Sequence, residues 1–358
     1  MGDEFDLSQR KKLILFSSIE DYIQSAVPIT SKGVQENYLK DISTATLRNE
    51  LSALEAMGFL KQLHTSSGRV PTTKAYRLYV DNLMKNLSFN SYDLENIKSG
   101  FHKKINNLTT IIDSVAQTIS KVTNCPTVAV LNDLKKLNIE DIQIIPLIDY
   151  TALMLLQTNG GIINNTFEIS ENVSKEDCIN CATLLKNNFV GKSINDMIQN
   201  VESTIKFESE KLSAFKEIFE SVVQLLKDAS TPIQKGRTKL LSMPEYKTID
   251  KAKEIIDLLE DENKVRELIE TSNDDGEISV TIGREFDDSE LADCAVVKAP
   301  IKIGDSTVAS VGVIGPKRLD YALVAGAISY VVSELKNVHQ LECKNNNNEL
   351  DKDTEDNN

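Results

Sequence analysis

Apolar residues recur every three or four positions through three segments near the start of the chain, which predicts three consecutive helices. The first covers residues 8–26. Thr30 or Ser31 can cap the second, which ends near Tyr38, and Ser43 caps the third. The chain is therefore expected to open with a three-helix unit.

A hairpin and a further helix follow. Gly58 stops the third helix, and two short strands at 60–63 and 69–71 are joined by a polar turn. Thr72 then caps a helix with Tyr76 on its apolar face, which we assign to the core. Three helices and a β-hairpin in this order predict a winged helix-turn-helix.

A long apolar repeat occupies the next segment. From Leu94 to Val122 the apolar residues follow one another in steps of three and four, which predicts a long helix. Such a helix either forms a seam between two subunits or packs against its own domain, and the pattern leaves both open.

Beyond Pro126 the pattern changes to short apolar runs separated by turns and mixed with helical segments. Strands are predicted at 127–131, 142–148, 152–157, 162–169, 278–282, 295–303 and 308–314, and helices at 174–187, 251–269 and 321–336. Residues from about 191 to 230 are polar and helical, which indicates an insertion. The tail beyond Glu342 is acidic and rich in Asn, and we expect it to be disordered. The predicted fold class is α+β.

The charge balance limits the partners of the chain. Its 358 residues hold 40 Lys+Arg and 54 Asp+Glu, a net charge of −14, which argues against non-specific coating of nucleic acid or membrane. Residues 1–85 hold eleven basic and ten acidic residues, a net +1, so the remainder carries −15. The acidic start lacks the layout of an export signal, and the longest apolar stretch, at 321–332, is too short to span a bilayer. We expect a cytoplasmic protein that does not contact a membrane.

The cysteines and histidines do not predict a metal, cofactor or catalytic site. Cys178 and Cys181 form a CxxC, but Ala182 and Leu185 complete the same helix face, so both sulfurs are expected in a core. A zinc site would need a second ligand pair, and none stands at suitable spacing. Three scattered histidines and the lack of nucleophile-elbow, Walker and dinucleotide motifs argue against an enzyme.

The third helix has the composition of a DNA-reading element. Leu47, Leu51 and Leu54 fall on one face and are expected in the core. Small and polar residues collect on the opposite face, namely Ala45, Arg48, Asn49, Ser52 and Ala56, with Thr46 on its flank. Arg and Asn can bond guanine and adenine edges, and small residues allow a close approach to a groove. The alternative is a solvated face, with Glu50 and Glu55 at its sides.

The hairpin after this helix favours the DNA interpretation. Residues 43–77 hold five basic and two acidic residues, a local +3, and the possible phosphate partners are Lys61, Arg69, Lys74 and Arg77. Arg69 at the hairpin tip can reach phosphates or a minor groove, whereas His64 can equally be a structural residue. The candidate DNA-binding residues are Ser43, Thr44, Ala45, Thr46, Arg48, Asn49, Ser52, His64, Thr65, Ser66, Arg69 and Lys74.

Several of these segments resemble the heat-inducible transcription repressor family HrcA. The resemblance rests on residues 43–51, 54–60, 64–72, 75–81 and 315–321, and it spans roughly 8 to 336. It implies a winged helix, a GAF-like α+β domain and a small dimerising domain inserted within it. It further implies a homodimer that represses chaperone operons from an inverted-repeat operator in double-stranded DNA, with its activity maintained by the GroE chaperonin.

This resemblance implies a division of the chain into five parts. They are a winged-helix domain (1–88), a helical linker (89–125), a GAF-like domain (126–190 and 236–340), an inserted dimerisation domain (191–235) and a disordered tail (341–358). The alternative function is a ligand-sensing winged-helix regulator that uses the GAF-like domain, although the sequence shows no cluster of polar residues that marks a pocket.

Overall fold

A computed structural model of the chain describes residues 7–63, 68–85, 108–131, 134–200, 212–229, 231–270, 277–303 and 306–335. Helices and antiparallel sheets in these ranges confirm the α+β class. None of the helices described is both long and apolar enough to cross a bilayer.

The first 85 residues form the N-terminal unit. Its elements are α1 (Gln9–Ser25), α2 (Ser31–Asn37), α3 (Thr44–Ala56), β1 (Leu60–Gln62), β2 (Arg69–Pro71) and α4 (Thr73–Lys85). The hydroxyls of Ser8, Thr30 and Ser43 each accept a hydrogen bond from a backbone N–H in the first turn of the helix that follows. The predicted capping by Thr30 and Ser43 is therefore confirmed.

The hairpin β1–β2 is fastened to the link between α1 and α2. Ile29 pairs with Arg69 through two backbone hydrogen bonds of 2.7 and 2.9 Å. The two backbone segments approach so closely that a Cβ on Gly68 would lie 2.7 Å from the carbonyl oxygens of both Pro28 and Ile29. Glycine is required at this position because backbone oxygens cannot give way as a flexible side chain can.

The remaining described elements form two sheets and their covering helices. They are α5 (Leu108–Thr123), β3 (Thr127–Leu131), β4 (Ile139–Pro146), β5 (Thr151–Thr158), β6 (Gly161–Glu168), α6 (Lys175–Phe189), α7 (194–200), α8 (Leu212–Ala229), β7 (Ile233–Lys235), α9 (Ile249–Glu260), α10 (Glu262–Ile269), β8 (Ser279–Ile282), β9 (Cys294–Ile303), β10 (Ser306–Pro316) and α11 (321–335).

The larger sheet has five antiparallel strands in the order β7-β3-β10-β9-β8. α5 buries Ile112, Val115 and Ile119 against it. This part of the predicted long helix therefore packs against its own chain, which was one of the two alternatives that the sequence left open. Residues 86–107, where the predicted helix begins, lie outside the described ranges.

The smaller sheet has three antiparallel strands in the order β4-β5-β6 and packs against α6 and α8. Buried and partly exposed residues alternate along β5, because one face of the sheet is covered more completely than the other. Cys178 and Cys181 of α6 are fully buried, which confirms their assignment to a core. Burial raises the pKa of the Cys181 thiol to about 12, so it stays protonated.

The strand pairing divides the chain differently from the predicted boundaries at 190 and 236. β4–β6, expected in one domain with β3, form a sheet of their own, and β7, expected inside the insertion, pairs with β3. In the sequence, residues 134–229 thus lie between β3 and β7, which are neighbours in the sheet. The single helix predicted at 251–269 is also wrong: Asp261 accepts hydrogen bonds from Asn263 N and Lys264 N and starts α10 as a new helix.

The N-terminal unit lies against the larger sheet and the turns at its edge, and we call this contact the junction. Arg77 of α4 binds the carboxylate of Glu285 through two nitrogens, with Nε and Oε1 2.7 Å apart. Arg318 donates to the carbonyl oxygen of Ile23 at 3.1 Å. The rings of Tyr76 and Tyr321 lie 6.0 Å apart.

Candidate nucleic-acid interface

α3 is anchored by its leucines and presents the opposite face to solvent. Leu47, Leu51 and Leu54 are completely buried. The predicted contact residues on the other face are exposed, with Thr46 half-buried; they are Ser43, Thr44, Ala45, Arg48, Asn49 and Ser52. The orientation predicted for this helix is confirmed, whereas contact with DNA stays a prediction.

The polar groups at the start of α3 hold one another in place. Ser43 Oγ accepts from Thr46 N at 3.1 Å and lies 2.8 Å from Thr46 Oγ1. Further along, Ser52 Oγ donates to the carbonyl oxygen of Arg48 at 3.0 Å. The exposed N-terminus of α3 also carries the positive end of the helix dipole, which favours a nearby phosphate.

Two carboxylates flank this face, and a cation binds each of them. Lys11 Nζ lies 2.9 Å from Glu50 Oε2, and Arg69 Nε lies 2.8 Å from Glu55 Oε2. The repulsion that these acids would exert on a phosphate backbone is thereby reduced. Sequence reasoning placed both glutamates at the sides of the helix but did not identify Lys11 as a partner.

Arg69 does not project from the hairpin tip as predicted. Its side chain is only 17% exposed, and besides Glu55 it donates to Ser52 Oγ at 3.0 Å. The pairing of β2 with Ile29 brings Arg69 alongside the second half of α3, where the nearest carboxylate captures the guanidinium. In this arrangement Arg69 supports α3 from the side.

Two other predicted phosphate partners are also engaged within the protein. Lys74 Nζ donates to the carbonyl oxygen of Met57 at 2.9 Å and lies 4.4 Å from the centre of the Phe59 ring. Lys74 therefore caps the C-terminus of α3. Arg77 is held by Glu285 at the junction, whereas Lys61 on β1 is exposed.

The DNA contacts predicted for the hairpin tip stay predictions. His64, Thr65 and Ser66 lie outside the described residues. Within the described part of the chain, no group of three or more His, Cys, Asp and Glu side chains could hold a metal ion.

Helix-turn-helix DNA-binding proteins place an exposed helix of this kind in the major groove. The HrcA protein C-terminal domain family matches residues 109–324. The heat-inducible transcription repressor HrcA of Ruminiclostridium cellulolyticum is 34% identical to this chain over 338 residues, which cover 92% of this chain and 96% of that protein. The protein of the same name from Symbiobacterium thermophilum is 30% identical, over 94% of this chain and 99% of that protein.

The chain belongs to the HrcA family, so the resemblance on which its function was predicted is confirmed. A solved structure, described as the crystal structure of a hypothetical protein, superposes with a TM-score of 0.73 at 20% identity. The match covers 93% of this chain and 98% of that one, and it shows a shared fold.

Proposed function

We propose that this chain represses heat-shock operons by placing α3 in the major groove of an inverted-repeat operator, as a homodimer. The observation that carries the proposal is the exposed face of α3, which presents Arg48 and Asn49 while three buried leucines hold its other face. Membership of a family whose relatives are named heat-inducible transcription repressors supports the regulatory role.

Each group on this face has a task that its chemistry suits. Arg48 would read guanine and Asn49 adenine, and Ala45 leaves room for the groove wall. Lys61 would bind phosphate, as would the predicted tip residues 64–66. Arg69 and Lys74 hold the recognition helix in place rather than supplying the first contacts.

The sheet topology supports a GAF-like domain with a second unit inserted in it. Its five-stranded sheet is interrupted between β3 and β7, and this supports an inserted unit at 134–229 in place of the predicted 191–235. We assign dimerisation to this inserted unit. A two-fold dimer places two copies of α3 on one side of a duplex, and such symmetry calls for a palindromic site.

The test is a selection of duplexes from a randomised library by the full-length chain. The expected result is an enriched inverted repeat, bound about a thousandfold or more tightly than its scrambled version. Ultracentrifugation of the same protein should give the mass of a dimer. Enrichment of no sequence would overturn the proposed function.

The variant Arg48→Ala is expected to lose base selectivity in the enriched site, because the guanidinium is the main base-reading group. The cost at the matched duplex should be about 1–3 kcal/mol, with little change on scrambled DNA. Arg284→Ala is the control, since Arg284 is exposed but lies beyond β8. Equal selectivity in the wild type and Arg48→Ala would show that α3 is oriented differently on DNA.

The role of the chaperonin, which the resemblance implies, has its own test. Purified GroE added to a partly inactivated sample of the chain should raise the fraction that binds the selected duplex. A fraction unchanged by GroE and ATP would contradict chaperonin maintenance while leaving DNA recognition intact.

A further inference from the structure

The beginning of α4 is bound to the C-terminal end of α3. Thr72, the residue before α4, donates from its Oγ1 to the carbonyl oxygen of Gly58 at 2.8 Å. Lys74 Nζ donates to the carbonyl oxygen of Met57 at 2.9 Å. Both carbonyl groups follow directly on α3, where a lysine also interacts favourably with the helix dipole. The proposed recognition helix and α4 therefore keep a fixed relation to each other.

One helical turn further on, α4 is bound to the larger sheet. Arg77 binds the carboxylate of Glu285, which follows β8, through two nitrogens, and its Nη2 also donates to the carbonyl oxygen of Val280 at 2.6 Å. An arginine that binds a carboxylate through two nitrogens fixes a direction as well as a distance. The two side chains are only 33% and 30% exposed, so solvent screens the pair incompletely.

The turn at 283–285 is shaped to receive α4. Gly283 has a φ of +54°, and a Cβ at this position would lie 2.8 Å from Thr73 Oγ1. Thr73 and Arg77 lie on one face of α4, because they are four residues apart. Glu285 is also fixed from its own side, since Ile282 N donates to its Oε2 at 2.8 Å. The ion pair thus joins a helix to a turn that is itself held in place.

A second arginine crosses the junction in the opposite direction. Arg318 lies between β10 and α11 and donates to the carbonyl oxygen of Ile23, in the last turn of α1, at 3.1 Å. Glu245 holds the same guanidinium, with Nη2 and Oε2 3.1 Å apart. Gln24 Nε2 donates to Asp320 Oδ2 at 3.4 Å. Contacts on both α4 and α1 restrict a rotation of the N-terminal unit that a single contact would allow.

We propose that Arg77 and Glu285 determine which distance between operator half-sites the dimer accepts. They are positioning residues, which act through α4 by fixing the direction of α3 relative to the larger sheet. One base pair added between the half-sites shifts the second half-site by about 3.4 Å and turns it by about 35° around the duplex. This inference rests on the proposed function and extends it, because it assigns the choice of spacing to residues outside the DNA face.

The physical reason lies in the second binding step of a dimer. Once one half-site is occupied, the other recognition helix binds at an effective concentration set by how well its position matches the second half-site. A stiff connection makes that concentration high at one spacing and low at the others, whereas a loose connection levels it. Breaking the contact should therefore broaden the range of accepted spacings without changing how α3 reads a half-site.

The DNA test keeps both half-sites of the selected inverted repeat and varies the number of base pairs between them. The full-length wild type should bind the best spacing at least about tenfold more tightly than spacings one or two base pairs away. In Glu285→Gln this preference should shrink to less than about threefold, while the affinity for a single half-site stays that of the wild type. A preference as steep in Glu285→Gln as in the wild type would overturn the proposal, as would a wild type that binds all spacings alike.

Asp81→Asn is the matched control. Asp81 Oδ1 lies 3.3 Å from Arg77 Nη1 but belongs to α4 itself, so the substitution removes the same charge and one ion pair of Arg77 without opening the junction. Its spacing preference should equal that of the wild type, and a preference broadened as in Glu285→Gln would show that loss of charge is the cause and overturn the proposal.

Arg77→Met tests the same contact from the other side. It should broaden the spacing preference as Glu285→Gln does, and the double variant should broaden it no further, because both substitutions remove one interaction. A lower affinity for a single half-site in Arg77→Met, with the spacing preference kept, would show that Arg77 binds phosphate and would overturn the proposal.

The orientation of the N-terminal unit is measured without DNA. Spin labels at Glu36→Cys on α2 and Lys253→Cys on α9, both exposed sites, report the distance between the N-terminal unit and the rest of the chain. The four described cysteines are buried, and Cys343→Ser removes the fifth. An excess of unlabelled chain restricts the signal to distances within one chain. The distance distribution should be broader in Glu285→Gln than in the wild type and unchanged in Asp81→Asn.

The two measurements separate this inference from the proposed function. Distance distributions of equal width in the wild type and Glu285→Gln would show that the contact does not fix the orientation, whatever the chain binds. A broader distribution with an unchanged spacing preference would refute the role in spacing alone. Failure to select any duplex would refute the proposed function and with it the role in spacing, and the distances would still decide whether Arg77 and Glu285 fix the orientation.

Discussion

At the scale of single residues, the ion pairs beside α3 matter for position more than for stability. Glu50 is bound by Lys11, and Glu55 by Arg69, but the pairs are partly exposed. Pairs of this kind typically contribute about 0–1 kcal/mol to folding. Their effect is to hold two carboxylates away from an approaching phosphate and to fix the hairpin against the helix.

Glu55→Gln is expected to increase the affinity for non-specific DNA. The substitution removes a negative charge beside the proposed DNA face and releases the Arg69 guanidinium, so one further phosphate can be neutralised. The slope of log K against log salt should steepen by about one. Glu36→Gln is the control, because it breaks an exposed pair with Lys32 on α2. An unchanged slope would mean that Arg69 stays bound to the protein.

Gly68→Ala should destabilise the N-terminal unit by about 1–3 kcal/mol, because the new Cβ would collide with backbone oxygens of the α1–α2 link. Urea unfolding measures the change. In Gly326→Ala the new Cβ meets nothing within 4 Å, and that helical position should gain up to about 1 kcal/mol. Equal stability of the two variants would contradict the close approach at Gly68.

At the scale of elements, local signals predicted where helices start and which face they bury. Ser43 was recognised as a cap, and the three leucines of α3 as its buried side, because both depend on residues within four positions. The partners of Arg69, Lys74 and Arg77 were not predicted, because they lie farther away along the sequence. Glu285 lies 208 residues from Arg77, and no local pattern links the two.

The start of α3 allows folding and DNA binding to be separated. Ser43→Ala should cost about 0.5–2 kcal/mol of stability, since the cap to Thr46 N is lost. Ser43→Asp keeps a capping oxygen and should fold about as well as the wild type, but it places a negative charge at the proposed interface. Its affinity for the selected duplex should therefore fall. A Ser43→Asp protein that binds DNA normally would show that this end of α3 does not meet phosphate.

At the scale of the whole molecule, titratable groups of distant segments meet at the junction. Burial and the nearby Asp320 raise the pKa of Glu20 on α1, although the hydroxyl of Tyr79 opposes the shift. The folded state therefore holds a proton on Glu20 more tightly than the unfolded state does. The contribution of this group to stability falls as pH rises above about 4.5.

Glu20→Gln is accordingly expected to raise the Tm at neutral pH and to lose this advantage as pH falls towards 4. Thermal unfolding from pH 4 to pH 8 measures the difference from the wild type. Glu36→Gln, at an exposed site, should give no such trend. A difference in Tm between Glu20→Gln and the wild type that does not vary with pH would show that the charge on Glu20 does not destabilise the folded state.

Strand partners were the least predictable part of the architecture. Most strands were located within a few residues, because alternation and turn residues are local. The alternation of apolar and polar residues along a strand shows that one of its faces is covered. It does not show to which sheet the strand belongs, and β4–β6 were therefore assigned to the same domain as β3. The short β7 has no periodic signal in its three residues, and only the pairing with β3 reveals it.

The order of strands has a consequence for how the protein is made. β3 is buried along its whole length, yet its two neighbours, β7 and β10, begin only at residues 233 and 306. On the ribosome, this strand emerges with both edges unpaired and stays so until most of the chain has been translated. Exposed apolar edges of this kind are prone to aggregation. The fraction of newly made chains that folds would then depend on how well β3 is kept from other chains until β7 and β10 have been made.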